Sequence, residues 1–338
     1  MKVVVDAFGG DNAPQAVVDG VLLALEKRKD ISVVLTGNSD ILRPLLPENE
    51  KRIEILDAKE VITNDDQPTL AIRQKRESSL VKAFDLLKED EEAIGLVSAG
   101  NTGAVLTGAI LKIGRIRGVS RPALCSVLPT VTEKPVMLCD CGSNVDCKSE
   151  HLLHFAIMAS AYYSVETNTK NPKVALLNNG AEEHKGNELT KETHQLMKAL
   201  PINFVGNVEA RELMSGDVDV IVADGFAGNV MLKTLEGVAR GMGDLIKKEA
   251  KKNIFASLGA LMMGKFKGIK QKMDINKYGG APFLGCKKLV VKTHGSANAE
   301  NFCNTILQVV KMYEHRLNEK IEKIVDELSS KLEAENAE

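Results

Sequence analysis

Two lysines, two histidines and a recurring set of carboxamides beside glycine are the residues of this 338-residue chain best equipped for chemistry. Lys185 and Lys233 could hold an anion, Asn229 could donate to one, and His184 and His294 could move a proton near neutrality. Around them stand Asp6, Gly9, Gly10, Asp11 and Asn12, then Ser98, Gly100, Asn101, Thr102 and Gly103, then Asp140 and Asn144. Asn178, Glu182 and Asn187 form a further group, as do Asp224, Gly225 and Gly228. The inventory is rich in amides, hydroxyls and backbone N–H donors and poor in clustered carboxylates. Such a set suits an anion and a developing oxyanion better than a divalent metal.

Each of these groups directly follows an apolar run. The clearest case is Val218 to Lys233, where a β-branched stretch reads as a strand buried on both faces of a parallel sheet. Asp224-Gly225 ends that strand, and Gly228-Asn229 is expected to turn the chain into a helix with Lys233 one turn in. A helix N-terminus over a strand end attracts anions, because free N–H donors and the helix dipole converge there. The pattern of strand, polar glycine loop and helix recurs after Val3–Asp6, Ala93–Val97, Val136–Cys139, Val174–Leu177 and Leu289–Thr293. It predicts a three-layer α/β/α fold with a mainly parallel sheet and all six loops along one edge, where such sheets bind ligands. Further expectations are a helix over Gln15 to Lys29 capped by Asn12 and opened by Pro14, and one helix from Thr69 to Lys88. Adjacent strands are expected at Ala123–Leu128 and Val136–Cys139, and a strand at Asn203–Val205 that gives way to a loop at Gly206-Asn207.

Composition narrows the function class. Apolar residues make up 44% and charged residues 27%, an ordinary globular balance, and the length suits one large α/β domain over 1–338. A net charge of -2, aromatics at 4% and no tryptophan argue against nucleic acid as a partner. The chain runs from Met1 straight into a strand, without a signal peptide or a membrane-length apolar run, and its six cysteines read as reduced thiols in a cytoplasm.

Two stretches break the alternation. Within 237–280, the segment from Lys247 to Lys272 carries eight lysines against one glutamate around an apolar centre. It is expected to form a protruding helical hairpin whose Lys251, Lys252, Leu258, Leu261, Met262, Lys265 and Lys267 meet an acidic partner, an anionic membrane surface or a dimer mate. At the end of the chain, 313–338 places Leu317, Ile321, Ile324, Leu328 and Leu332 on one face of an amphipathic helix.

Several familiar motifs fail on inspection. Gly259 to Phe266 approaches a nucleotide phosphate loop, but Phe266 replaces the magnesium-binding hydroxyl and no strand precedes it. No Gly-x-Gly-x-x-Gly follows a strand. Cys139, Cys141, Cys147 and His151 have no zinc-site spacing, and no histidine is tied by sequence to Cys141 or Cys147 as a nucleophile would require. His151 and His154 fall on a helix and read as packing residues.

Taken together, Asp6-Ala7-Phe8-Gly9-Gly10-Asp11-Asn12-Ala13-Pro14, Ser98 to Ala104, Lys185-Gly186-Asn187, Asp224 to Asn229 with Lys233, and Tyr278-Gly279-Gly280-Ala281-Pro282 resemble the acyl-carrier-protein:phosphate acyltransferases of bacterial phospholipid synthesis, nearly end to end. Departures are mild: Phe8 stands where Met is usual, Ser143 and Ala297 where Ala and Ser are usual, and Ala210-Arg211-Glu212 for Gly-Arg-Asp. The resemblance implies a fold similar to isopropylmalate dehydrogenase and phosphotransacetylase, a homodimer, and no metal or nucleotide cofactor. It implies transfer of a long-chain acyl group from acyl-carrier protein to inorganic phosphate, with the acyl phosphate passing to a membrane glycerol-3-phosphate acyltransferase. The protein would then work in the cytoplasm, peripherally at the inner face of the membrane. The alternatives are a phosphotransacetylase-like enzyme using acyl-coenzyme A, or a non-enzymatic scaffold at the membrane.

Overall fold

The computed structural model describes residues 1–132, 134–252 and 275–335. Its strands form one eleven-stranded sheet made of two parallel sets. In the first, β1 (Lys2–Asp6) lies between β2 (Ser32–Gly37) and β4 (Ala93–Ser98), with β3 (Ile53–Asp57) beyond β2 and β11 (Leu289–Lys292) beyond β4. In the second, β9 (Val220–Val222) lies between β6 (Val136–Cys139) and β7 (Lys173–Asn178), and β8 (Asn203–Glu209) borders β7. Joining them are β10 (Ala281–Leu284) and β5 (Ala123–Leu128), and the steps β11 to β10, β10 to β5 and β5 to β6 are all antiparallel.

An odd number of reversals makes the two sets run in opposite directions. The loops after β1, β4 and β11 therefore leave the opposite edge of the sheet from those after β6, β9 and β7. This corrects the expectation of six loops on one edge. The adjacent pair β5 and β6 is as expected from sequence, and β10 and β11 are a second pair of chain neighbours; the step that local pattern does not show is β10 to β5, more than 100 residues apart.

The β-branched strands are buried on both faces, as their composition requires. Val3 and Val5 join one core cluster and Val4 the other, and Val220 and Val222 are likewise split from Ile221. Helices cover both faces: α1 (Gln15–Lys27), α2 (Ser39–Leu42), α3 (Pro68–Gln74), α4 (Ser79–Glu89), α5 (Thr102–Gly108), α6 (Ser149–Thr167), α7 (Glu188–Met197), α8 (Gly225–Lys252), α9 (Ala299–Glu314) and α10 (Leu317–Glu335). The mainly parallel α/β architecture expected from sequence is present.

Four local expectations need correction. The helix over 69–88 is two helices, because the Ser78 hydroxyl caps α4 by accepting from Val81 N while Lys75 leaves helical geometry. Asn12 does not cap α1; its amide instead donates to the carbonyls of Ser296 and Ala297. Gly206 to Glu209 belong to β8, with Gly206 at φ +102° beside a shift in the register with β7. The fourth concerns α8, which begins at Gly225, so Gly228 and Asn229 lie inside its first turns and Lys233 stands two turns in.

The expected hairpin falls on 253–274, outside the described residues, together with Leu258, Leu261, Met262, Lys265 and Lys267; Lys251 and Lys252 close α8, their side chains also outside that set. The terminal helix docks against α6 through buried Leu317, Ile321, Val325 and Leu328, with Ile324 at the margin and the Leu332 side chain outside the described residues.

Candidate active site

Asp140 sits directly after β6 with its carboxylate out of water. It accepts from the backbone N–H groups of Leu124, Gly142, Ser143 and Asn144 and from the Asn144 amide, at 2.7–3.2 Å. Burial raises its pKa against the pull of these donors. Asn144 also donates to Pro122 O, and its own carbonyl accepts from Gly225 N at 2.7 Å. This loop then seats α8. Gly228 packs so closely on the Asp140 carbonyl that a Cβ there would overlap the oxygen, which explains the glycine better than any turn. Asp224 accepts from Ala227 N at 2.7 Å and caps the helix. Asp140, Asn144, Asp224, Gly225 and Gly228 are thus the frame of the site.

That frame aims one face of α8 at the cleft between the two halves of the sheet. Asn229 and Lys233, four residues apart, share the face. Asn229 is exposed and lies over Gly142, and Lys233 is exposed with its ammonium on Glu236 at 2.8 Å. Burial raises the pKa of the Cys141 thiol and lowers that of the Lys292 ammonium, and the charge of Lys233 is a lesser downward influence on each.

On the other side of the cleft, Asp6 at the end of β1 is buried and accepts from the Ser98 hydroxyl at 2.7 Å. Burial raises its pKa, and Ser79, Ser98 and the Phe8 N–H oppose that. Gly9 fits only without a side chain, since a Cβ would stand 2.6 Å from Gly100 N. Gly10 takes φ +99°, Asp11 N donates to Gly295 O at 2.7 Å, and the Asn12 bonds complete the tie between the β1 and β11 loops. Asn101 caps α5 and donates to Asn64 O, Thr102 opens that helix, and Gly103 packs on Pro68. His294 is exposed; its Nδ1 accepts from Ser296 N, which in the neutral ring leaves the proton on Nε2.

The loop after β7 lies across a groove from α8. His184, Lys185 and Glu182 are exposed there, Asn178 donates to Lys185 O, and Asn187 caps α7. The loop is anchored by buried His194, which meets Asn207 at 2.8 Å, while Asn207 donates to Glu182 O. Between it and α8 runs a groove of about 770 Å³. Its walls are largely apolar, including Leu152, Leu177, Leu213, Phe226, Val230 and Leu235, and Asn178, Asn187 and Thr190 stand at its polar margin. Four strand steps lie between β11 and β9 and a fifth reaches β7, roughly 24 Å at ~4.8 Å per step, so one chain does not bring His184 and Lys185 to His294.

The cysteines are ill placed for nucleophilic work. Cys139 and Cys141 are buried, burial pushes both thiols up, and Cys147 is pushed up to about 12. His151 Nδ1 accepts from Lys148 N and His154 Nδ1 meets the Ser120 hydroxyl at 2.8 Å, both structural contacts. Among the described residues no group of three His, Cys, Asp or Glu side chains is arranged to hold a metal, and no helix is long and apolar enough to cross a membrane.

Comparison with known proteins gives the family. Residues 1–320 match the model of the family described as fatty acid synthesis protein. The chain belongs to that family. Among curated relatives, the phosphate acyltransferase of Clostridium acetobutylicum is 46% identical over 333 residues, covering 97% of this chain and 100% of the relative. That of Halalkalibacterium halodurans is 47% identical over 313 residues, covering 92% and 93%. Solved structures share the fold at low identity. A phosphotransacetylase from Streptococcus pyogenes superposes with a TM-score of 0.59 at 16% identity, over 95% of this chain and 94% of the other. A branched-chain phosphotransacylase from Enterococcus faecalis gives 0.59 at 15%, over 93% and 100%.

Within this family member, sequence reasoning passed over two features. Lys292 closes β11 opposite Ser98 and faces the cleft half-buried; its signal was a cation ending the apolar run Leu-Val-Val-Lys. The groove was legible in the helical spacing of Phe226, Val230 and Val238, which share one face of α8.

Proposed function

We propose that the chain transfers a long-chain fatty acyl group from acyl-carrier protein to inorganic phosphate, releasing the carrier thiol and an acyl phosphate. The observation that supports this most is that α8, seated by the Asp140 loop, presents exposed Asn229 and Lys233 on one face, in a chain whose relatives are phosphate acyltransferases.

A phosphate oxygen attacks the thioester carbonyl, the C–O bond forms, and the C–S bond breaks with the electron pair leaving on sulfur. Phosphate near pH 7 is already partly dianionic, so the protein needs position and charge more than a strong base. Lys233 and Asn229 hold the phosphate, the Ser98–Gly103 loop faces the developing oxyanion, and His294 stands where its Nε2–H is free to meet the departing thiolate. The apolar groove beside α8 supports an alkyl substrate, and its volume lies in the roughly 300–1,000 Å³ range of small-molecule sites. The basic segment from Lys247 to Lys272 suits acidic carrier protein or an anionic membrane surface, consistent with peripheral work beside a membrane glycerol-3-phosphate acyltransferase. Exposed Met242, Leu245 and Ile246 continue the apolar stripe of α8 and support pairing with a second copy.

The test is incubation with long-chain acyl-carrier protein, with and without phosphate, read by mass spectrometry. Phosphate-dependent acyl phosphate is the expected product. Free fatty acid alone, or product only from acyl-coenzyme A, would overturn the assignment.

A further inference from the structure

We propose that Lys292 is a further phosphate-holding cation, set at the end of β11 beside the Ser98 loop. The proposal rests on the phosphate acyl transfer reading and deepens it.

Lys292 is the last residue of β11, paired in register with Ser98 on β4 and Ala281 on β10. Neighbouring backbone crowds it, for a Cβ on Gly280 would stand 2.6 Å from the Lys292 carbonyl oxygen. Its ammonium donates to the carbonyl of Thr293, a neutral acceptor, and it has no salt bridge among the described residues. Asp6 and Asp11 lie close enough for their charge to favour the ammonium. Asp6, however, is already committed to the Ser98 hydroxyl and the Phe8 N–H, and Asp11 stands at no ion-pair distance. Burial consequently lowers the Lys292 pKa to about 8, and Lys233 pushes the same way.

A half-buried ammonium whose hydrogen bond goes to a neutral carbonyl, with no carboxylate in contact, is an arrangement that the protein alone leaves unneutralised. A phosphate oxyanion would supply the missing counter-charge, and lysine is a common point-charge partner for phosphate. Lys292 lies on a strand and Lys233 on a helix seated by the Asp140 loop, so neither depends on a mobile loop for its place.

The experiment measures acyl phosphate formation by the full chain at varied inorganic phosphate, for wild type, Lys292→Met and Lys292→Arg. It is paired with titration of the protein by inorganic phosphate alone, followed by calorimetry. Lys292→Met should raise the phosphate KM and weaken phosphate binding about tenfold or more, leaving the KM for acyl-carrier protein unchanged, and Lys292→Arg should restore part of the loss. An unchanged phosphate KM and titration in a folded Lys292→Met protein overturns the proposal. If Lys292→Met does not fold, Lys292→Arg decides: a phosphate KM and titration equal to wild type with altered carrier-protein KM would refute a phosphate role, and a shift in phosphate alone would support it. If wild type forms no acyl phosphate, the functional reading falls, and the phosphate titration by itself judges Lys292.

Discussion

Asp140 and Lys292 are both charged residues taken out of water at the carboxyl end of a strand, one in each half of the sheet, and the protein answers them differently. Asp140 is met by four backbone N–H donors and an amide, all from its own loop and the adjoining strand. Lys292 is met by one neutral carbonyl, with carboxylates near but not in contact. A buried charge whose hydrogen bonds close internally stiffens the structure, whereas one left partly unanswered marks where an external counter-charge belongs.

Breaking the satisfied member should do the most damage. Asp140→Ala would leave buried donors without an acceptor, each worth roughly 1–3 kcal/mol, and would loosen the seat of α8. A loss of about 4 kcal/mol or more in urea unfolding is expected, with Asp140→Asn milder because one oxygen remains. A loss below about 1 kcal/mol would show that water replaces the carboxylate and that the loop is no scaffold.

Lys233→Ala tests the opposite kind of residue. Its ion pair with Glu236 is an exposed i,i+3 contact at 2.8 Å, of the kind worth only about 0.2–0.5 kcal/mol, so stability should barely move. The phosphate KM should nevertheless rise about tenfold, the loss of one charge-assisted contact. An unchanged phosphate dependence would remove Lys233 from the site.

The pH dependence sharpens the contrast. The charged groups facing Lys292 are Asp6 and Asp11 from the β1 side and Lys233 from α8. With its folded pKa lowered to about 8, Lys292 loses its proton in the free protein as pH rises through that value, and the phosphate KM should climb above about pH 8. Protonated Lys292 disfavours the fold below that pKa, and the penalty is relieved between about 8 and the ordinary lysine value of 10.5. Lys292→Met should therefore be more stable than wild type at pH 7 while binding phosphate worse. A flat phosphate KM from pH 7 to 9.5 in wild type would contradict this.

These contrasts also mark how far the sequence could be read. Val3–Val5 and Val220–Val222 were legible as buried strands because β-branched composition is local, and so were the polar glycine loops that follow them. The reversal of the sheet was not, because it turns on β10 pairing with β5, more than 100 residues away in the chain. Nor could sequence divide the polar loop residues by task. Asn101, Asn187 and Asp224 look equally suited to a ligand and to a helix cap, and only the backbone N–H beside each oxygen decides for the cap. Lys292 was hidden for the complementary reason: its interest lies in which partners are not in contact with it.

The smallest effect is expected at His184, and it bears on how the two halves are completed. A general acid in contact with the reacting atoms contributes roughly 10²–10⁴-fold, but a thiolate leaves without much help, and His184 stands on the β7 loop about five strand steps from β11. His184→Ala should therefore change acyl phosphate formation by less than about twofold, and His294→Ala by more, since His294 borders the cleft. A large loss at His184 with little at His294 would invert that order. It would mean that the β7 loop reaches a cleft other than its own chain's, through the apolar face of α8, and that the site is completed by a second copy. Mixing His184→Ala and Lys233→Ala proteins at phosphate well below the raised KM would then restore activity at the sites that pair an intact loop with an intact α8, and failure to restore it would return His184 to its own chain.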